Sequence, residues 1–406
     1  MKLVQIISRG TRVAMVLAIV FVLPPGGSAS PKFKVLHRFG GTDGAGLWGS
    51  LAFDKKGDLY GTAAGGGTHN AGTVFELMPH SDGRWTEAIL HNFCSLPHCA
   101  DGSLPFSNVV LDDRGDLYGT TTFEAFEMTA GSNGWSFNVL DNQGSRAGLT
   151  LDDAGKVYGN IGPGEYDNGA VTELVPGAGG WTQSYLYSFC AKSGCPDGAI
   201  PVSGVVFDGS GNLYGTTEYG GTGQLGGLGG GTAYQLKHNS DGTWQHVTLH
   251  SFPAFRGDGV YLYAGLVLDR SGNLYGATAQ GGSGDCGTVF KLTHGAKGWK
   301  ETLVHDFTHP KDGCGPNGVT FDQAGNLYGT TVSGGAGDCS GGCGVVFKLT
   351  PNSGGKWNYS LLHRFNDYDG ALPDAGVIFD QKGNLYGTTE LGGGGHSVGV
   401  VFEITP

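Results

Sequence analysis

Several things are scarce in this 406-residue chain. Only 15% of residues are charged, and Lys and Arg together number 24 against 36 Asp and Glu. A net charge of -12 disfavours nucleic acid and anionic membrane surfaces as partners. Beyond Leu23 there is no apolar run approaching the ~20 residues that a membrane-spanning helix needs. Walker loops, HExxH motifs and Ser-His-Asp constellations are also missing, so no common catalytic signature marks the chain as an enzyme.

Glycine is abundant instead, at 78 residues, with 21 Phe, 16 Tyr and 7 Trp placed at regular intervals. The regularity centres on Gly-Asn-Leu-Tyr-Gly-Thr-Thr, as at Gly325–Thr331. Its tyrosines are Tyr60, Tyr118, Tyr158, Tyr214, Tyr275, Tyr328 and Tyr386, separated by 58, 40, 56, 61, 53 and 58 residues. A period of this size marks a repeat architecture.

Each copy reads as four short strands joined by turns. In the sixth, residues 318–321 and 326–331 flank the Asp322–Gly325 turn, residues 345–350 end at Pro351, and Trp357–Phe365 completes the unit. This is the pattern of a β-propeller blade. The seventh copy lacks its fourth strand, and Phe33-Lys34-Val35-Leu36-His37-Arg38-Phe39 matches that missing strand. The expectation is an all-β fold: a seven-bladed β-propeller of four-stranded antiparallel blades, closed by the N-terminal strand.

Residues 1–30 read as a signal peptide: Lys2, Arg9 and Arg12 precede an apolar core, and Gly27-Ser28-Ala29 supplies small residues for cleavage. Removing those three cations takes the net charge from -12 to -15. Residues 31–406 form one propeller domain. The processed product is expected to be secreted (extracellular or periplasmic), monomeric and not membrane-spanning.

Strand periodicity assigns most recurring side chains to the scaffold. His37, His91, His250, His305 and His363 share one repeat position, with Asp141 and Tyr187 at the equivalent place elsewhere. They alternate with Trp and Phe on one face, as blade-packing histidines would. Asp54, Asp112, Asp152, Asp208, Asp269, Asp322 and Asp380 precede the tight turns and read as turn caps. Calcium is a minor alternative there; no other cofactor is expected. A second acidic set, Asp43, Asp101, Asp197, Asp258, Asp312 and Asp369, lies in the crossings between blades. It reads as turn residues that could ring the loop face near the axis.

Eight cysteines in an exported chain suggest four local disulfides: Cys94 with Cys99, Cys190 with Cys195, Cys286 with Cys314, and Cys339 with Cys343. Zinc at His91, Cys94, His98 and Cys99 is disfavoured because the parallel Cys190 motif lacks both histidines. Gly221–Gly226 fits a dinucleotide fingerprint by letters but leads into glycine and a strand rather than a helix.

Where the repeat departs from itself is where function is sought. The second copy has almost no loop between its second and third strands, and its following crossing is shortened. Together these should cut a notch beside blades two and three. The fourth copy's loop, residues 218–231, is the longest and is expected to be mobile. Candidate ligand-face residues are Phe123, Glu124, Asn142, Glu165, Tyr166, Asp167, Glu218 and Tyr219.

The motif series resembles the GloVer tandem repeat of bacterial choice-of-anchor proteins. It runs Gly-Asn-Leu-Tyr-Gly-Thr-Thr, a Gly-Gly loop, Gly-Val-Val-Phe-Lys-Leu-Thr-Pro, then Trp and Leu-His-x-Phe, over residues 33–406. The resemblance implies export and a propeller-like body but transfers no catalytic residues. The end at Pro406, without a sorting tail, favours a soluble product. The leading expectation is a secreted non-catalytic propeller that binds an extracellular glycan or protein. The alternative is a polysaccharide-acting hydrolase or lyase.

Overall fold

A computed structural model describes residues 30–406 except 133, 223–228, 254–256, 258, 309–310, 336–338 and 396. The leader thus lies, but for Ser30, outside the described residues, as does much of the long loop of the fourth copy.

Seven four-stranded antiparallel sheets form the blades of a propeller. Blade 1 comprises Ala52–Phe53, Leu59–Ala63, Thr73–Pro79 and Trp85–Asn92. The seventh joins Ile378–Phe379, Leu385–Thr389 and Val400–Thr405 to the N-terminal strand Lys32–Arg38, pairing Phe33 with Ile404 and Val35 with Phe402. The ring is therefore closed by strand pairing, as expected, and Phe33 stacks on His363 of blade 6 at 3.7 Å.

The consensus residues hold this frame. In Tyr-Gly-Thr, the glycine leaves room for a phenylalanine from the third strand. A Cβ on Gly61 would lie 2.5 Å from Phe75 Cζ. The buried threonine that follows donates to a first-strand carbonyl of the next blade. Thr62 reaches Ser107 O at 2.6 Å, Thr216 reaches Ala264 O at 3.0 Å, and Thr388 reaches Gly49 O at 3.1 Å across the closure. Blade 5 carries Ala277 at this place, and the Cys286–Cys314 disulfide ties blade 5 to blade 6 instead. All four expected disulfides form, so the sulfurs of Cys94 and Cys99 are joined to each other rather than available to zinc.

The turn aspartates act as caps. Asp322 Oδ1 accepts from the amides of Ala324 and Asn326 at 2.9 and 2.8 Å, and its Oδ2 accepts from Asn326 Nδ2 and the Tyr328 hydroxyl. Gly325 completes the turn at φ 85°, a conformation that glycine reaches without steric cost. Both carboxylate oxygens are thus committed within the turn.

The crossing aspartates differ from their expected place. They do not ring the axis but reach the outer strands, where His37 meets Asp43 at 3.0 Å and His91 meets Asp101 at 3.0 Å. His305–Asp312 and His363–Asp369 repeat the pair at 3.2 and 3.1 Å, and the Tyr187 hydroxyl donates to Asp197 at 2.8 Å. Each pair latches a crossing to the fourth strand it has just left; Asp258 lies outside the described residues. Asp101, fully buried, also accepts from the Ser95 amide and hydroxyl and the Leu96 amide. These bonds hold its pKa below the usual carboxylate value despite the opposing effect of burial.

Candidate functional site

The segment that leads from each crossing into the first strand lines the axis. At the loop-face end, Trp48, Phe106, Arg146, Val202, Tyr263 and Asp374 occupy the same place in six blades. Blade 6 is one residue shorter in its crossing, with 10 residues from Asp312 to Asp322 against 11 from Asp369 to Asp380, and offers Asn317. These seven side chains surround the mouth of an axial cavity of about 440 Å³, within the ~300–1,000 Å³ of small-molecule pockets. Below them the wall narrows to Ser50, Asn108 and five glycines, Gly148, Gly204, Gly265, Gly318 and Gly376.

Around this mouth the chemistry changes from blade to blade. Trp48, 39% exposed, packs against Phe106 with ring centroids 4.7 Å apart. Arg146 lies over the Phe106 ring, its guanidinium carbon 5.0 Å from the centroid, a cation–π contact. On the other flank of Trp48, the half-buried Asp374 hydrogen-bonds Glu390, and Asn317 Nδ2 approaches Asp374 Oδ1 at 3.5 Å. Burial, and then the adjoining Glu390 carboxyl, push the Asp374 pKa up to about 8. The two carboxyls therefore hold a proton between them near neutral pH.

Across the mouth stands a tyrosine group. Tyr261 and Tyr263 lie parallel at 6.2 Å, and Tyr219 meets Tyr261 edge-on at 5.7 Å. Glu218 hydrogen-bonds Tyr219 and Tyr263, raising the Tyr219 phenol to about 12. Glu218 and Glu390 occupy the same repeat position, two residues past the first threonine of the motif, in blades 4 and 7.

Of the residues singled out from sequence, Glu218 and Tyr219 belong to this group. Phe123, 59% exposed, and Glu124 form the tight turn of blade 2, where Glu124 Oε2 accepts from Thr121 Oγ1 at 2.6 Å. Exposed Asn142 begins the shortened crossing, which folds back onto that turn: Ser145 N donates to Thr121 O at 2.9 Å. The two short segments thus pack on each other and draw in the notch expected between them. Glu165, Tyr166 and Asp167 form an exposed loop of blade 3, with Asp167 at φ 57° and Asn168 Nδ2 bonding Tyr166 O. Trp48, Phe106, Arg146, Tyr263, Asp374 and Glu390 were missed. The first five stand at a position whose residue changes from copy to copy, and Glu390 recurs only as Glu218, so the consensus hides them.

Exposed apolar surface is concentrated on the same face. Among the described residues, ten large apolar side chains are exposed, and all but Leu303 lie in crossings or second-to-third-strand loops. Grooves of about 620 and 650 Å³ on the opposite face are lined by tight-turn charges, several of them paired. There Arg114 meets Asp112 and Asp116 at 2.8 and 3.1 Å, and Lys55 meets Asp113 at 2.9 Å.

Residues 226–406 match the family model of the Gloeobacter/Verrucomicrobia repeat, which supports the resemblance to the GloVer repeat over that part of the chain. No curated protein matches its sequence. Among solved structures, it is similar to the extracellular domain of a candidate hybrid two-component system from B. thetaiotaomicron. The TM-score there is 0.54 at 14% identity, over 93% of this chain and 41% of that one. The present chain thus spans about two fifths of that structure's length. A candidate 6-phosphogluconolactonase from Bacteroides fragilis NCTC 9343 aligns with TM-score 0.51 at 13% identity, over 84% of this chain and 98% of that one. At such identities the likeness establishes the propeller fold.

Proposed function

We propose that this propeller is a secreted, non-catalytic binding protein that takes an extracellular ligand at the loop-face mouth of its axial cavity. One observation carries the reading. A ring of positions that faces the axis and differs in every blade presents exposed aromatics, a guanidinium without an ion-pair partner among the described residues, and hydrogen-bonding acids around one cavity. Aromatic and Arg side chains enclosed by polar neighbours are the usual anchors of recognition. Four disulfides, unusual in a reducing cytosol, support an extracellular setting.

Titration calorimetry of the purified chain against cell-wall and plant polysaccharide fragments, with Trp48→Ala as comparison, tests this. A saturable heat that Trp48→Ala weakens at least tenfold is expected. Binding untouched by that substitution would place the ligand elsewhere.

A second reading, a polysaccharide hydrolase or lyase, is favoured by the Asp374–Glu390 pair beside the cavity. Carboxyls in hydrogen-bond contact stand closer than the ~5–9.5 Å separation of hydrolytic glycosidase pairs. Elimination suits the pair better, with the ionised carboxyl taking the ring proton as the C=C bond forms and the neutral carboxyl protonating the departing glycosidic oxygen. New reducing ends or unsaturated products on prolonged incubation, abolished by Asp374→Asn, would favour it.

A further inference from the structure

Among the mouth positions Arg146 is the single cation of a chain whose net charge is -12. It is exposed, and it makes no hydrogen bond or ion pair with any described residue; its one recorded contact is the face of Phe106. Three other arginines are engaged: Arg38 bonds Gly393 O, Arg84 meets Asp82, and Arg114 meets two aspartates. Stacking leaves the edge N–H groups of the Arg146 guanidinium free, and that planar fork matches a carboxylate with two parallel hydrogen bonds.

Blade order then arranges four groups in one arc: Asp374, Trp48, Phe106 and Arg146, from blades 7, 1, 2 and 3. The middle of the arc is a pair of aromatic rings packed against each other, centroids 4.7 Å apart and planes tilted by 48°. At one end stands the proton-sharing Asp374–Glu390 pair with Asn317, and at the other the unpaired guanidinium. Ser50 and Asn108, beneath the aromatics, make only long hydrogen bonds of 3.5 and 3.4 Å, leaving their polar groups open to exchange partners. Flat apolar faces, hydroxyl-bonding groups on one side and a carboxylate receptor on the other describe one chemistry. It is a pyranose ring bearing an acid.

We propose that the mouth binds an acidic oligosaccharide, with a uronic acid ring laid on Trp48 and Phe106 and its carboxylate held by Arg146. The hydroxyls at the opposite end of the ring meet Asp374 and Asn317. This rests on the mouth being the binding site, and it adds the class of the ligand. An acidic peptide would satisfy Arg146 equally but offers no rigid ring faces to the aromatic pair, which is why the sugar is favoured.

The test is calorimetry of the full chain with three probes: a galacturonic acid tetramer, the neutral cellotetraose, and a short poly-glutamate peptide. The uronate is expected to bind at least tenfold more tightly than the neutral tetramer, with an affinity that falls as NaCl rises. Arg146→Gln should abolish that preference by weakening the uronate at least fivefold more than the neutral tetramer, and Arg146→Lys should restore part of it. Thermal unfolding of both variants checks that the fold is kept. Equal affinity for the two tetramers, unchanged by Arg146→Gln, overturns the acidic ligand but keeps the mouth as a glycan site. Poly-glutamate binding as tightly as the uronate overturns the sugar. Binding of no probe, or binding indifferent to both Trp48→Ala and Arg146→Gln, overturns the mouth itself.

Discussion

Two rings of side chains circle the same axis and are built on opposite plans. The outer ring repeats nearly one chemistry: a fourth-strand His or Tyr latched to a crossing aspartate at 2.8–3.2 Å in five blades. The inner ring, at the cavity mouth, changes side chain at every blade. A frame needs the same contact made again wherever the same two elements meet. A ligand without sevenfold symmetry needs different groups at different points. Repetition therefore marks the scaffold here, including its histidines and aspartates, and variation marks the surface available for recognition.

The comparison can be broken most forcefully at the frame. Phe347→Ala removes a fully buried ring from blade 6 and should cost about 3–5 kcal/mol, seen as a large drop in the denaturant midpoint. Disulfide loss should be graded by loop length. Removing Cys286–Cys314, which spans 28 residues, should cost about 3.6 kcal/mol, and removing Cys94–Cys99, which spans 5, about 2.2 kcal/mol, by loop entropy. If the two losses were equal, the tie between blades 5 and 6 would hold no special place.

Asp101→Ala should cost about 2–3 kcal/mol, because it strands His91 and three other donors in a buried site. The pH profile gives the sign. The folded pKa of Asp101 is depressed, so its contribution is present above the unfolded carboxylate value and is lost as pH falls through the folded value. The variant's stability curve should therefore flatten relative to the parent at acid pH.

His246 sharpens the contrast from within the frame. It occupies the place that Phe33 and Phe137 hold in other blades, stacks on Tyr187 at 4.4 Å, and leaves its buried Nε2 without a partner among the described residues. Burial lowers its pKa to about 4. The folded chain thus binds fewer protons than the unfolded one below about pH 6.5, and stability falls as pH drops from there toward 4. His246→Phe should raise stability by about 1–2 kcal/mol and remove that part of the slope in thermal melts across pH 4–7. An unchanged slope would contradict the assignment of His246 as a buried neutral side chain.

The smallest expected stability effects lie at the mouth. Trp48→Ala and Arg146→Gln, at exposed positions, should change stability by no more than about 0.5 kcal/mol while changing ligand affinity.

The fold was legible because each local signal agreed with the next. Tyr-Gly-Thr marks the second strand, Asp-x-x-Gly the turn before it, and the orphan strand at Lys32–Arg38 complements the truncated seventh copy. The latches were legible only as two separate columns, since partners such as His91 and Asp101 stand 10 residues apart across a loop whose path the letters do not reveal. The mouth was hidden for a different reason. Asp374 and Glu390 are 16 residues apart and meet because Ala371 bridges Leu391. Trp48, Phe106 and Arg146 converge only once three blades are wrapped around the axis. Departures from the repeat point to Glu218 and Tyr219, which stand beside Tyr261 and Tyr263 rather than in the cavity wall itself. They also point to the blade 2 turn, where the shortened segments pack on each other.

The most direct test sets the mouth against the rim. Ligand affinity is measured for the parent chain, for a Trp48→Ala/Phe106→Ala double variant, and for a Phe123→Ala/Tyr166→Ala double variant. The mouth variant is predicted to lose at least tenfold with its unfolding midpoint kept, while the rim variant binds as the parent does. The reverse pattern would contradict the account and move the site to the outer loops.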